Sequence, residues 1–244
     1  MKNIQDALEV HAIPFSSIRN PPGRIVVLTQ EEKALTILKN VFGISSLSFA
    51  TEIDRSMKKI EREVLLSYRM RAQPGKTFRI STQRLDKRFY LTSQEVNAII
   101  GAFIVEQENA QVNLDNPDID IGIEIMHNAA YIFVGRTPGY GGLPVGVQGK
   151  VLVDLKDRRS AVAAWMMLKR GCELVVCGDE TILPYLEPFS YGHSITYVPH
   201  PEKAKDYLAV VFSELEFGKR KIPSFYPLLA LTEQQIRDIE TLIF

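Results

Sequence analysis

Residues 77–97 read TFRISTQRLDKRFYLTSQEVN, and the fold turns on this stretch. Residues 77–82 alternate, with Phe78 and Ile80 on one side and Arg79 and Ser81 on the other, which is the pattern of a half-buried strand. A basic run follows: Arg84, Lys87 and Arg88. Thr92-Ser93-Gln94-Glu95 then has the spacing of a capping box, with Thr92 as N-cap and Glu95 at the third helical position. The helix behind it carries Val96, Ile99, Ile100, Phe103 and Ile104. Further on, Ile119, Ile121, Ile123 and Ile125 alternate with Asp120, Gly122 and Glu124. A turn at Asn128-Ala129 returns the chain along 130–134, giving a hairpin. Strand, helix and hairpin thus follow one another in a unit of their own.

Toward the N-terminus, Ile4, Ala7 and Leu8 share one face of a helix that stops before Pro14. Residues 24–29 read as a buried strand after the Pro21-Pro22-Gly23 turn. Residues 31–40 read as a helix, 46–53 as a strand and 54–69 as a second, basic helix. Toward the C-terminus, residues 138–149 hold five glycines and read as a linker. Residues 151–155, 161–170 and 173–176 give a strand, helix and strand, the order of a parallel βαβ unit. Strands are expected at 207–212 and 225–230, and a helix capped by Thr232 ends the sequence. The 95 residues from 150 to 244 are few for a nucleotide-binding sheet of five or six strands.

The formal net charge is zero, but the charges are segregated. Residues 55–90 contain 11 Lys or Arg against 3 acids, and residues 91–130 contain 7 acids with no Lys or Arg. Such segregation points toward a polyanionic partner, although a solvated helix face beside a basic loop gives the same pattern. The two cysteines, Cys172 and Cys177, are too few for a disulfide framework or a thiolate zinc site, so a reducing, cytoplasmic setting is expected. The four histidines show no metal-ligand spacing, and no metal site is expected. No run of 18 apolar residues exists to cross a membrane. Asp120 and Glu124 share a strand face and read as solvent-facing. Phe89 reads as core and Tyr90 as surface.

Three stretches carry a resemblance: 78–97; Asn116-Pro117-Asp118 with the hairpin ending at Tyr131-Ile132; and Gly141-Gly142-Leu143-Pro144-Val145-Gly146 with Gly149-Lys150-Val151-Leu152 and 166–171. In order and spacing they resemble tRNA 4-thiouridine synthetases, and Phe225-Tyr226-Pro227-Leu228 resembles a late turn of the same enzymes. The resemblance implies an α/β and α+β chain in three parts: a ferredoxin-like unit over 1–72, a THUMP domain over 73–137 and, after the linker at 138–149, a shortened Rossmann-like PP-loop domain over 150–244. It also implies that the first two parts hold the acceptor stem and 3′ end of tRNA. The matching basic positions are Lys76, Arg79, Arg84, Lys87 and Arg88, residue types that neutralise phosphates without reading bases.

The likeness fails at the ATP loop. The enzymes place Ser-Gly-Gly-x-Asp-Ser after the first strand of the last domain, where glycines and a helix N-terminus receive a pyrophosphate. Here Lys156, Asp157, Arg158, Arg159 and Ser160 stand in its place: Lys156 and Asp157 for the glycines, Arg159 for the aspartate, and Ser160 for the final serine. The family's sulfur-transfer cysteine is expected past Tyr226-Pro227-Leu228, beyond the residues of this sequence, and Cys172 and Cys177 do not match it. The family's first strand precedes its first helix, whereas Met1 falls inside that helix, so either an edge strand is missing or the natural start lies upstream.

The expected function is tRNA binding without catalysis or an ATP cofactor, assisting a separate tRNA-modifying enzyme or serving as a scaffold. One alternative is a divergent ATP-dependent tRNA sulfurtransferase that adenylates and thiolates a uridine. Another is a protein-interaction or homodimerisation module.

Overall fold

The structure, a computed structural model, describes residues 1–215 and 222–244. In chain order the first elements are α1 (Lys2–Val10), β1 (Ser17–Arg19), β2 (Val26–Leu28), α2 (Ala34–Leu38), β3 (Ser46–Leu47), β4 (Ala50–Ile53) and α3 (Met57–Arg69). They are followed by β5 (Thr77–Arg84), α4 (Ser93–Glu108), β6 (Gln111–Val112), β7 (Ile119–Ile125), β8 (Ala130–Val134) and β9 (Thr137–Pro138). The last part holds β10 (Lys150–Leu155), α5 (Arg158–Lys169), β11 (Glu173–Gly178), α6 (Leu183–Leu186), β12 (Thr196–Tyr197), β13 (Ala209–Val211), β14 (Ser224–Phe225) and α7 (Glu233–Ile243).

The chain forms two compact units. One comprises residues 19–26 and 48–137. Its sheet has the order β4-β8-β7-β5-β6. β5 and β7 run parallel, and β7, β8 and β4 alternate direction. The four isoleucines of β7 and Phe78 and Ile80 of β5 face one side, where they meet Ile60, Val64 and Tyr68 of α3 and Val96, Ile100 and Ile104 of α4. Each of those isoleucines contributes on the order of 1.5–3 kcal/mol by leaving water. The capping box forms as its spacing demands: Thr92 Oγ1 accepts the Glu95 backbone N–H, and Glu95 accepts that of Thr92. α4 ends at Asn109 in a left-handed conformation that short polar side chains tolerate.

This unit begins earlier than the boundary read after residue 72. β4 pairs with β8, and α3 buries its apolar stripe on the same sheet as α4, so both belong here. The amphipathic pattern of α3 was legible, but its choice of sheet is a long-range pairing that periodicity does not encode.

The other unit comprises residues 1–18, 27–47 and 138–244. α1 and α2 bury Ile4, Leu8, Ile37 and Leu38 with Tyr191. The remaining part is an all-parallel sheet of order β12-β11-β10-β13-β14. Five strands fit into so few residues because three of them are only two or three residues long. α5 packs on this sheet through Trp165, Leu168 and a run of small residues. It begins at Arg158, three residues before the expected start. Of the last expected strand, 225–230, only Phe225 is paired, with Ser224 before it, and Leu228 is buried in the turn that follows. The strand expected over 46–53 is split into β3 and β4.

Residues 138–149 are not a free linker. Gly141 exchanges backbone hydrogen bonds with Gly43 and Ile44, and the N–H groups of Gly146 and Gln148 both reach the Gly171 carbonyl. A Cβ on Gly142, whose φ is +78°, would lie 2.2 Å from the Lys169 carbonyl oxygen. The glycine there permits a close approach of backbones within this unit.

Cys172 and Cys177 are buried and unbridged. Burial, reinforced by the neighbouring Asp154 carboxylate, pushes the Cys177 thiol up to about 11, and burial raises Cys172 as well. Neither is a thiolate near neutral pH. Two outcomes follow. A disulfide reagent at pH 7 reacts slowly with the native chain, faster as pH approaches 11, and rapidly with both thiols in denaturant; fast native labelling at pH 7 contradicts this. In urea unfolding, Ile123→Ala lowers stability by about 2–5 kcal/mol, the usual range for emptying a packed core site.

Candidate nucleic-acid interface

The alternation of β5 separates its basic residues. Arg79, Ser81 and Gln83 emerge on the face away from α3 and α4, beside Asp120 and Glu124 of β7 in the parallel register. Arg79 pairs with Asp120 and donates to the Leu114 carbonyl at 2.7 Å, and Ser81 donates to Asp120 at 2.6 Å. Arg24 grips Glu124 with two hydrogen bonds of 2.7 and 2.9 Å and reaches Gln83 at 2.8 Å. Arg136 approaches Glu124 at 3.4 Å and stacks over Phe133, whose ring covers Gly122. The bond to Glu124 holds Arg24 above its usual pKa. Glu124 is therefore a buried ion-paired carboxylate, not the solvent-facing group expected, because arginines from two separate segments converge on it. Asp120 stays half-exposed. This face has spent much of its positive charge on its own acids.

The other end of β5 is different. The strand ends at Arg84, opposite Ile125, and the next residues turn beside the end of β7. Leu85 and Asp86 both donate their N–H groups to the Ile125 carbonyl, and Arg84 ties the turn by donating to the Phe89 carbonyl at 3.1 Å. The Asp86 carboxylate lies at the centre with 7% of its side chain exposed. One oxygen accepts from the Arg88 backbone N–H and from Arg88 Nε, both at 3.0 Å. The other accepts from Arg55 at 2.9 Å and faces His127 Nδ1 at 3.3 Å. Arg88 Nη2 lies 2.7 Å from the same His127 nitrogen. These partners, Arg88 first, hold the Asp86 carboxyl well below the usual carboxylate range. The Arg88 side chain is 75% exposed and Arg55 38%, so both present donors to solvent while anchored beneath. Lys87 is exposed beside them. Phe89 is buried, and Tyr90 stands 73% exposed with its ring tilted against Phe89 at 4.8 Å.

Of the basic positions read from the sequence, the structure brings Arg84, Lys87 and Arg88 together. Lys76 and Arg79 lie toward the start of β5, roughly 20 Å away at strand spacing. The sequence reading missed Arg55, Asp86 and His127. Arg55 precedes α3 and His127 follows β7. The parallel register of β5 and β7 sets His127 beside the loop, and the pairing of β4 with β8 brings Arg55 to the same end of the sheet.

At the start of α5, the residues present do not fit an ATP phosphate. The Asp157 carboxylate caps the helix, accepting the Ser160 N–H at 2.7 Å. Ser160 Oγ in turn accepts the N–H groups of Lys156 at 2.9 Å and Asp157 at 3.0 Å. The backbone N–H groups of Lys156, Asp157 and Ser160 are thus taken by the chain's own side chains, and a carboxylate stands where an anion would sit. Arg159 is held by two 3.0 Å bonds to Glu233 of α7, and Arg158 pairs with Glu240 and lies over the Phe244 ring. Lys156 pairs with Asp154. Among the described residues, no cluster of His, Cys, Asp and Glu is placed to hold a metal, and no helix is long and apolar enough to cross a membrane.

Comparison with known proteins places these features. The family model for the THUMP domain matches residues 48–135, which contain β4 to β8 and the Asp86 turn. The chain is 36% identical over 238 residues to a probable tRNA sulfurtransferase of Thermococcus kodakarensis, covering 91% of this chain and 62% of that protein. It is 41% identical over 163 residues to one of Methanocaldococcus jannaschii, covering 60% of this chain and 40% of that protein. It thus spans less than two thirds of either relative. Among solved structures, PH1313 from Pyrococcus horikoshii superposes with a TM-score of 0.89 at 32% identity, covering 99% of this chain and 92% of that one. A 4-thiouridine synthetase crystallised with RNA and bound ATP shares the fold, with a TM-score of 0.78 at 20% identity over 99% of this chain and 79% of that one. The chain is a THUMP-domain protein related to the tRNA sulfurtransferases.

Proposed function

We propose that this chain binds tRNA without itself transferring sulfur, and that it serves a modification reaction carried out by another protein. The observation that supports binding is the turn after β5. There a THUMP domain exposes Arg55, Lys87 and Arg88 around one buried carboxylate, with Tyr90 exposed beside them. Fixed guanidinium groups contact phosphates, and an exposed aromatic ring can stack on an unpaired base such as those at a tRNA 3′ end. The exposed Lys58 and Arg62 of α3 extend the same charge. Arg84 steadies this surface from within, and Lys76 and Arg79 lie outside it. The solved relative whose fold is shared was crystallised with RNA, which agrees with this reading.

The absence of catalysis is supported by the start of α5. Asp157 and Ser160 satisfy each other, and α7 neutralises Arg158 and Arg159. The alternative of a divergent ATP-dependent enzyme has no free phosphate cradle at this loop to recommend it. Neither an adenylation step nor a nucleophilic sulfur is assigned to this chain.

The test is binding of labelled tRNA at several salt concentrations. Affinity falls steeply with salt, and Lys87→Ala weakens binding of all tRNAs alike, lowering the slope of log K against log salt by about 1 for the lost phosphate contact. ATP added in a calorimeter gives no binding isotherm. Equal binding by Lys87→Ala moves the interface elsewhere, and tight ATP binding restores the enzyme reading.

A further inference from the structure

We propose that Asp86 is a positioning residue for RNA binding: an acid inside a phosphate-binding surface that strengthens binding by fixing the cations around it. The inference rests on the reading of the turn after β5 as the RNA surface.

Two opposed effects meet at this residue. A carboxylate repels phosphate, so removing it should strengthen binding if charge alone decides. A long, exposed arginine, however, loses rotamer freedom when it grips a phosphate, and a side chain already held in place loses less. Asp86 fixes Arg88 at two points, the backbone N–H and Nε, both at 3.0 Å. That leaves the outer edge of the guanidinium facing outward, where His127 Nδ1 supports Nη2 at 2.7 Å. Asp86 also draws in Arg55 from the entrance to α3 at 2.9 Å, setting the two guanidinium groups around one carboxylate. Its low exposure keeps the negative charge beneath the cations. The neighbouring Glu124 shows the contrast: its arginines close over it, Arg24 with two bonds and only 33% of its side chain exposed.

The test measures tRNA affinity for the full chain and for Lys87→Ala, Asp86→Asn, Arg88→Ala and the double variant Asp86→Asn/Arg88→Ala, with thermal unfolding of each. Asp86→Asn loses a negative charge yet binds about three- to tenfold more weakly, the effect of freeing one or two arginines. In the Arg88→Ala background most of that loss disappears, because the group it positions is already gone. Tighter or unchanged binding by Asp86→Asn, with Lys87→Ala still impaired, overturns the positioning role and leaves the RNA reading standing. An equal loss in both backgrounds shows a merely structural residue and also overturns it. If the full chain does not bind tRNA, both ideas fall. Arg88→Lys gives a further check: it keeps the charge but loses the Nε bond to Asp86, so it binds more weakly than the unaltered chain. Affinity equal to the unaltered chain would show that charge alone suffices.

Discussion

A strand can show each side chain to one face only, and β5 illustrates what that imposes. Phe78 and Ile80 must face α3 and α4 to close the core, so Arg79, Ser81 and Gln83 are committed to the opposite face. There the parallel register sets them against Asp120 and Glu124 of β7, and the charges are largely consumed. Cations remain outward-facing only after the strand ends, where the chain turns beside the close of β7. The same alternation that builds the core thus decides which basic residues can meet a polyanion.

Three acids in this chain show how one chemistry gives different outcomes. Glu124 is buried beneath Arg24 and flanked by Arg136, and it joins distant segments of its own unit. Asp157 caps α5 and uses up donors that an anion would otherwise take. Asp86 is as buried as Glu124, but its arginines rise past it into solvent. The difference lies in where each carboxylate sits relative to the cations, not in their number. Burial of the Asp86 and Glu124 carboxylates is tolerated because each is paired and hydrogen-bonded, whereas Asp157 lies exposed at its helix end.

Much of the architecture was legible in the residues. The alternation in β7, the turn at Asn128-Ala129, and the Thr92 and Thr232 caps all appear where local physics puts them. The altered ATP loop was visible as a substitution of side chains for glycine. What was hidden depends on long-range pairing. The assignment of α3 to the sheet of β5, the packing of the glycine-rich segment against residues 39–45, and the burial of Glu124 by Arg24 each join segments far apart in the chain. So does the Asp86 cluster. Arg55, Asp86 and His127 are far apart in sequence, and the register of β5 on β7 together with the pairing of β4 on β8 makes them neighbours. The short strand β12 escaped because two residues carry no periodicity, whereas β13 falls inside the strand expected over 207–212.

The account stands on RNA meeting the turn after β5 and the entrance to α3. Amide hydrogen exchange of the chain with and without tRNA tests this directly, since it reports on each segment without altering any residue. Slowed exchange across residues 84–90 and 54–62, with little change along the α5 loop, is the expected result. Protection confined to the α5 loop, or none anywhere at low salt, would contradict it.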